Sequence, residues 1–161
     1  MSFVVPEMLS RCLNYDHAPP NQHSLLLDFI RLSHADRGFL AGLLLISCRY
    51  MCRFHRRHHP YQDLATTYKL DCLRSLSQSI AVAPSAVSDA TIAKAIVLAQ
   101  DELALGDVQT SRNHVLGAVK MVNLNGGPRL LGVGGFLWYL LQNFVQRKGG
   151  FAGAPELSAK T

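Results

Sequence analysis

The chain has 161 residues, enough for one domain with a buried core and short for two. Its composition, 48% hydrophobic against 17% charged, excludes an intrinsically disordered chain, which would show the opposite balance. The formal charge of +5 permits an acidic partner, but Lys and Arg are spread from Arg11 to Lys160 with one cluster around Arg49, Arg53, Arg56 and Arg57, unlike the concentrated charge of a general nucleic-acid binder.

Cys12, Cys48, Cys52 and Cys72 lack the dense, even spacing of a secreted disulfide framework, so a reduced intracellular setting is expected. The opening MSFVVPEMLSRC has no basic region leading into an apolar core, and is not expected to be a secretory signal. The longest apolar run, Phe39 to Ser47, falls far short of the roughly 20 residues that span a bilayer.

Residues 1–23 are predicted to be a lead-in: a helical stretch, VPEMLSRCLNY, is followed by Pro19 and Pro20, which a helix interior does not tolerate. Ser24 is the predicted N-cap of a short helix, LLLDFIRL, with Asp28 in its acidic first turn. A second helix is predicted in FLAGLLLISCRYMCRFHRRHH, basic toward its C-terminus and ended by His59-Pro60. In the third, YQDLATTYKLDCLRSLSQSI, the residues Leu64, Tyr68, Cys72, Leu73, Leu76 and Ile80 recur on one face, placing Lys69 and Arg74 on the other.

AVAPSAVSD reads as a loop that ends in an N-cap at Ser88 or Asp89. The helix that follows, ATIAKAIVLAQDELALGD, carries enough alanine to pack on more than one side, and Gly106 is its predicted left-handed C-cap. It is the expected central helix. VQTSRNHVLGAVKMVNLNGG then forms its antiparallel partner, with Val115, Ala118, Val119 and Val122 as the buried stripe and Gly126, Gly127 and Pro128 as the stop. A last helix is predicted from about Gly135 through Phe136, Leu137, Leu140, Leu141, Phe144 and Val145, closing a domain of residues 24–146 before a flexible tail, 147–161. No segment alternates like a strand. The expected fold is all-α, with antiparallel helical hairpins packed as a bundle or a short solenoid-like stack.

Cys48, Cys52, His55 and His59, at steps of four, three and four, would place zinc-binding side chains along one helical face. Four ligands spread over three turns of one straight helix cannot converge on a tetrahedral ion, so no metal and no cofactor is expected. Arg53, Arg56 and Arg57, with His55, His58 and His59, could meet phosphate or an acidic protein surface, although a solvated helix end is the commoner meaning of such a run. His114 has no Ser or Cys nucleophile motif near it and is read as a packed or capping residue, leaving no catalytic residue assigned. NGGPRLLGVGG lacks the lysine of a phosphate loop and reads as a helix-to-helix turn, and Phe136, Trp138 and Tyr139 read as core.

From Asp89 onward, the order of parts resembles the regulatory middle or C-terminal region of fungal-specific transcription factors with a binuclear zinc cluster. Those parts are Ser88-Asp89 before an alanine-rich helix, Gly106-Asp107 at its end, His114 with Gly117, the Gly126-Gly127 turn, and Leu131-Gly132 before Phe136. The upstream pair FLAGLLLISCRYMCRF and YQDLATTYKLDCLRSL extends the resemblance to roughly residues 36–146. The family's DNA-binding module needs six closely spaced cysteines, and here four lie scattered, so direct sequence-specific DNA binding by this chain alone is not expected.

The resemblance implies a non-catalytic regulatory or protein-interaction domain, responsive to an effector and located in the nucleus, with the cytoplasm as the alternative, and with a protein partner; from the short apolar runs no membrane is expected. The alternative reading is a small-molecule-binding protein or enzyme whose helices around Phe39, Ile96 and Phe136 enclose an apolar pocket. A homo-oligomeric scaffold is a third.

Overall fold

The computed structural model describes residues 22–54, 59–82 and 87–127, together with Leu137 and Leu141. These residues form five helices, α1 (Gln22–Ala35), α2 (Arg37–Phe54), α3 (His59–Val82), α4 (Asp89–Ala104) and α5 (Val108–Leu124). No strand occurs among the described residues, and the fold is all-α.

The directions of the helices follow from which residues meet. Ser75 near the end of α3 lies against Gly38 at the start of α2, so α2 and α3 are antiparallel. Ser111 Oγ donates to the Ala99 carbonyl at 2.8 Å, and Val87 N donates to Asn125 Oδ1 at 3.0 Å, so α4 and α5 are also antiparallel. The two hairpins pack with α4 against both α2 and α3, and α1 lies on α2. Phe29 of α1 stacks on Phe39 of α2 with ring centroids 5.7 Å apart.

The expected central helix is central. All residues of α4 from Ala90 to Ala99 are buried. Ser88 is its N-cap, accepting from Thr91 N at 3.3 Å. At its end Gly106 takes φ +87°, and a Schellman pair of bonds runs from Gly106 N to Leu103 O (3.1 Å) and from Asp107 N to Glu102 O (2.9 Å). The same motif ends α5, where Gly126 N donates to Asn123 O and Gly127 N to Val122 O. The predicted stripe Val115, Ala118, Val119 and Val122 is buried, and Leu137 and Leu141 join the same core. Complete burial of each valine or leucine side chain contributes about 1.5–3 kcal/mol.

Several boundaries differ from the sequence expectation. The first helix is already running at Gln22, so Ser24 lies inside it rather than capping it, and Asp28 falls beyond the first turn, 4.0 Å from Arg31. His59-Pro60 does not end α2 but opens α3, a position where a missing N–H costs nothing because first-turn amides have no intrahelical partner. On α3 the buried residues are Ala65, Cys72 and Leu76, with Tyr68 and Leu73 packed against them, whereas Leu64 and Ile80 are exposed. Lys69 turns inward, contrary to its predicted place, because two carboxylates on α4 wait there. Gln22 and His23, expected in the lead-in, belong to α1; residues 1–21, the tail and most of the predicted last helix lie outside the described residues.

Candidate functional site

The polar chemistry of the domain gathers on one face of α4. Lys94 and Asp101 are seven residues apart, about two turns, so both project toward the α2–α3 hairpin. Both side chains are 0% exposed. An isolated buried charge is prohibitively costly, and each of these is matched by partners from other helices.

Lys94 Nζ donates to Asp36 Oδ2 at 3.1 Å and to Ser75 Oγ and Ser79 Oγ at 2.9 Å each, which uses its three protons. Asp36 is the one residue between α1 and α2, and its other oxygen accepts from Phe39 N at 2.8 Å. One carboxylate therefore caps α2 and neutralises α4. The approach needed for this bond requires Gly38, because a Cβ there would stand 2.0 Å from Ser75 Oγ and 3.1 Å from Lys94 Cδ.

The second cluster lies two turns further on. Asp101 Oδ1 accepts from Arg49 Nε at 2.7 Å, its Oδ2 lies 3.0 Å from Lys69 Nζ, and Lys69 Nζ also meets Glu102 Oε1 at 2.8 Å. Burial works against the Lys69 ammonium, but the hydrogen bonds and charges of Glu102 and Asp101 outweigh it and lift its pKa above the ordinary value. Arg49, which the sequence places in a basic cluster, is thus an interior partner of α4. Every buried side-chain nitrogen and oxygen among the described residues has a hydrogen-bond partner. The arrangement clamps α2, α3 and α4 in one register.

The four candidate ligand positions do not lie on one helix. Cys48 and Cys52 lie one turn apart on α2, His55 lies outside the described residues, and His59 is the first residue of α3, so the four do not share one helical face. Among the described residues no group of three or more His, Cys, Asp or Glu could hold a metal ion. Burial, with a smaller contribution from Cys52 and an opposing one from Arg49, pushes the Cys48 thiol up. Burial likewise pushes the Cys72 thiol to about 12, which keeps it protonated and makes it core packing rather than a nucleophile. Arg53 lies in the last turn of α2, and Arg56 and Arg57 lie outside the described residues. Of the apolar trio, Phe39 and Ile96 pack in the core, and Phe136, with Trp138 and Tyr139, lies outside the described residues.

His114, on α5, is partly buried near Glu102 and Lys69. Burial holds its imidazole below the ordinary value of 6.5; Glu102 opposes the shift and Lys69 reinforces it. The unfolded chain therefore takes up this proton at a higher pH than the folded one, so the stability is fully present above about 6.5 and falls as pH drops from there through the folded pKa. The urea midpoint should fall between about pH 7.5 and 5.5, and His114→Gln should flatten that slope. An unchanged slope in the variant would show that the imidazole titrates alike in both states.

A groove of about 440 Å³ runs along α5, lined by Leu116, Val119, Lys120, Asn123 and Leu124. No described helix is long and apolar enough to cross a membrane. Comparison of the chain with protein-family models, with curated proteins and with solved structures finds no match in any of the three.

Proposed function

We propose that the chain is a non-catalytic regulatory and protein-interaction domain of the kind found in fungal binuclear zinc cluster transcription factors, acting in the nucleus through a protein partner. The observation that carries this reading is the mutual pairing of the interior charges. Lys94, Asp101, Glu102, Lys69 and Arg49 are engaged with one another and with Asp36, which suits a rigid scaffold presenting its outer helix faces. The ordered motifs of the resemblance also coincide with structural joints: Ser88 caps α4, Gly106 and Asp107 turn into α5, and Gly126 and Gly127 end it.

On this reading the partner meets the outside of the bundle. Leu105 and Val108, each more than half exposed, stand together at the α4–α5 turn and offer an apolar contact, and the basic run Arg53, Arg56 and Arg57, read from the sequence, supplies charge for an acidic surface. The groove along α5, apolar apart from Lys120 and Asn123, favours a small apolar effector with an acidic group as the second reading.

Tethering the full chain to a promoter through a heterologous DNA-binding module tests the proposal. Reporter output should change, and the change should be lost in a Leu105→Ser, Val108→Ser variant whose thermal unfolding matches the parent. Output equal to that of the DNA-binding module alone would contradict a regulatory role.

A further inference from the structure

We infer that the Asn125-Gly126 bond is a deamidation site held closed by the fold, and that its conversion releases the latch joining the end of α5 to the start of α4. An asparagine followed by glycine is chemically the most exposed pair to this reaction, because no side chain on the second residue hinders its backbone nitrogen from reaching the asparagine side-chain carbon. In the step itself, Gly126 N loses its proton and bonds to Asn125 Cγ, the bond from Cγ to Nδ2 breaks, and ammonia leaves a five-membered succinimide. Water then opens the ring at either carbonyl, giving aspartate or isoaspartate. Water is the one co-reactant, and nothing is oxidised or reduced.

The attacking nitrogen and both polar atoms of the Asn125 amide are engaged in the folded chain. Asn125 Oδ1 accepts from Val87 N at 3.0 Å, Nδ2 donates to Val87 O, and Gly126 N donates to Asn123 O at 3.1 Å as part of the Schellman motif. The amide is gripped from both sides by the backbone of one residue, and the attacking nitrogen is committed elsewhere. Cyclisation must wait until these bonds open, locally or with the whole domain.

The products cannot rebuild the latch. An aspartate has no donor for Val87 O and brings a negative charge to the C-terminal end of the α5 dipole. An isoaspartate adds a methylene to the main chain and moves Gly126 and Gly127 away from the carbonyls of Asn123 and Val122. Val87 is buried and directly precedes the Ser88 cap, so its release frays the entry to the central helix as well. Each unfolding episode thus exposes the chain to an irreversible loosening of the α4–α5 hairpin.

Peptide mapping by mass spectrometry after incubation of the full chain at mildly alkaline pH, with and without urea, tests this. Conversion at Asn125 should run on the order of tenfold or more faster in urea than in the folded chain. The Asn125→Asp variant should unfold at a lower urea concentration than the parent. Equal conversion rates in the two conditions would overturn the gating, and an Asn125→Asp midpoint equal to the parent's would overturn the latch.

Discussion

Asp36→Asn is expected to lower the unfolding free energy by about 3–5 kcal/mol, a large part of the about 5–15 kcal/mol that a domain of this size holds. The reason is an asymmetry across the ion pair. The amide oxygen of the substituted side chain can still accept from Phe39 N and so keep the α2 cap, but Lys94, 0% exposed, is left charged between two serine hydroxyls. The reverse change, Lys94→Met, leaves Asp36, whose side chain is 23% exposed and can be rehydrated, and should cost less. Combining the two removes both charges, so the double variant should lie closer to the parent than Asp36→Asn does. Urea midpoints at unchanged m-value measure all three. Strict additivity would mean that the pair contributes nothing as a pair.

Gly38→Ala should lose about 1–3 kcal/mol or more, against the usual gain of about 0.5–1 kcal/mol for this change inside a helix. The added Cβ would stand 2.3 Å from Ser75 Cβ as well as 2.0 Å from its hydroxyl, and no rotamer change relieves a clash between two Cβ atoms. The α2–α3 hairpin must open, and with it the Ser75 bond to Lys94. Gly117→Ala on α5 is the control, because a Cβ there meets nothing within 4 Å. It should leave stability unchanged or raise it. Matching behaviour of the two variants, by thermal or urea unfolding, would show that the close approach at Gly38 is not used.

The α4–α5 hairpin was legible from sequence because its signals are local. Ser88 supplies a cap oxygen, Gly106 and Gly126 supply the positive φ, and the valine stripe of α5 recurs at helical spacing. Boundaries set by weaker signals moved: Ser24 looks like a cap yet lies inside α1, and Pro60 looks like a stop yet sits in the first turn of α3. The interior charges were hidden for a different reason. Asp36 and Lys94 are 58 positions apart, Arg49 and Asp101 are 52 apart, and helical periodicity records which face a residue occupies but not which long side chain reaches an opposite charge. A trace was nevertheless present, since Lys94 is the one charge between Ala90 and Ala99, and Asp101 follows on the same face two turns later. The zinc-like spacing from Cys48 to His59 does not lie on one helix, since α2 ends at Phe54 and His59 begins α3.

Native-state hydrogen exchange on the full chain tests most directly that α4 is the helix on which the others are clamped. The amides from Ile96 to Ala99 should exchange only through global unfolding, and Asp36→Asn should speed them by the full loss of stability, while α1, packed on α2 alone among the larger contacts, opens at lower free energy. Exchange of α4 through local openings, as fast as that of α1 and indifferent to Asp36→Asn, would contradict it.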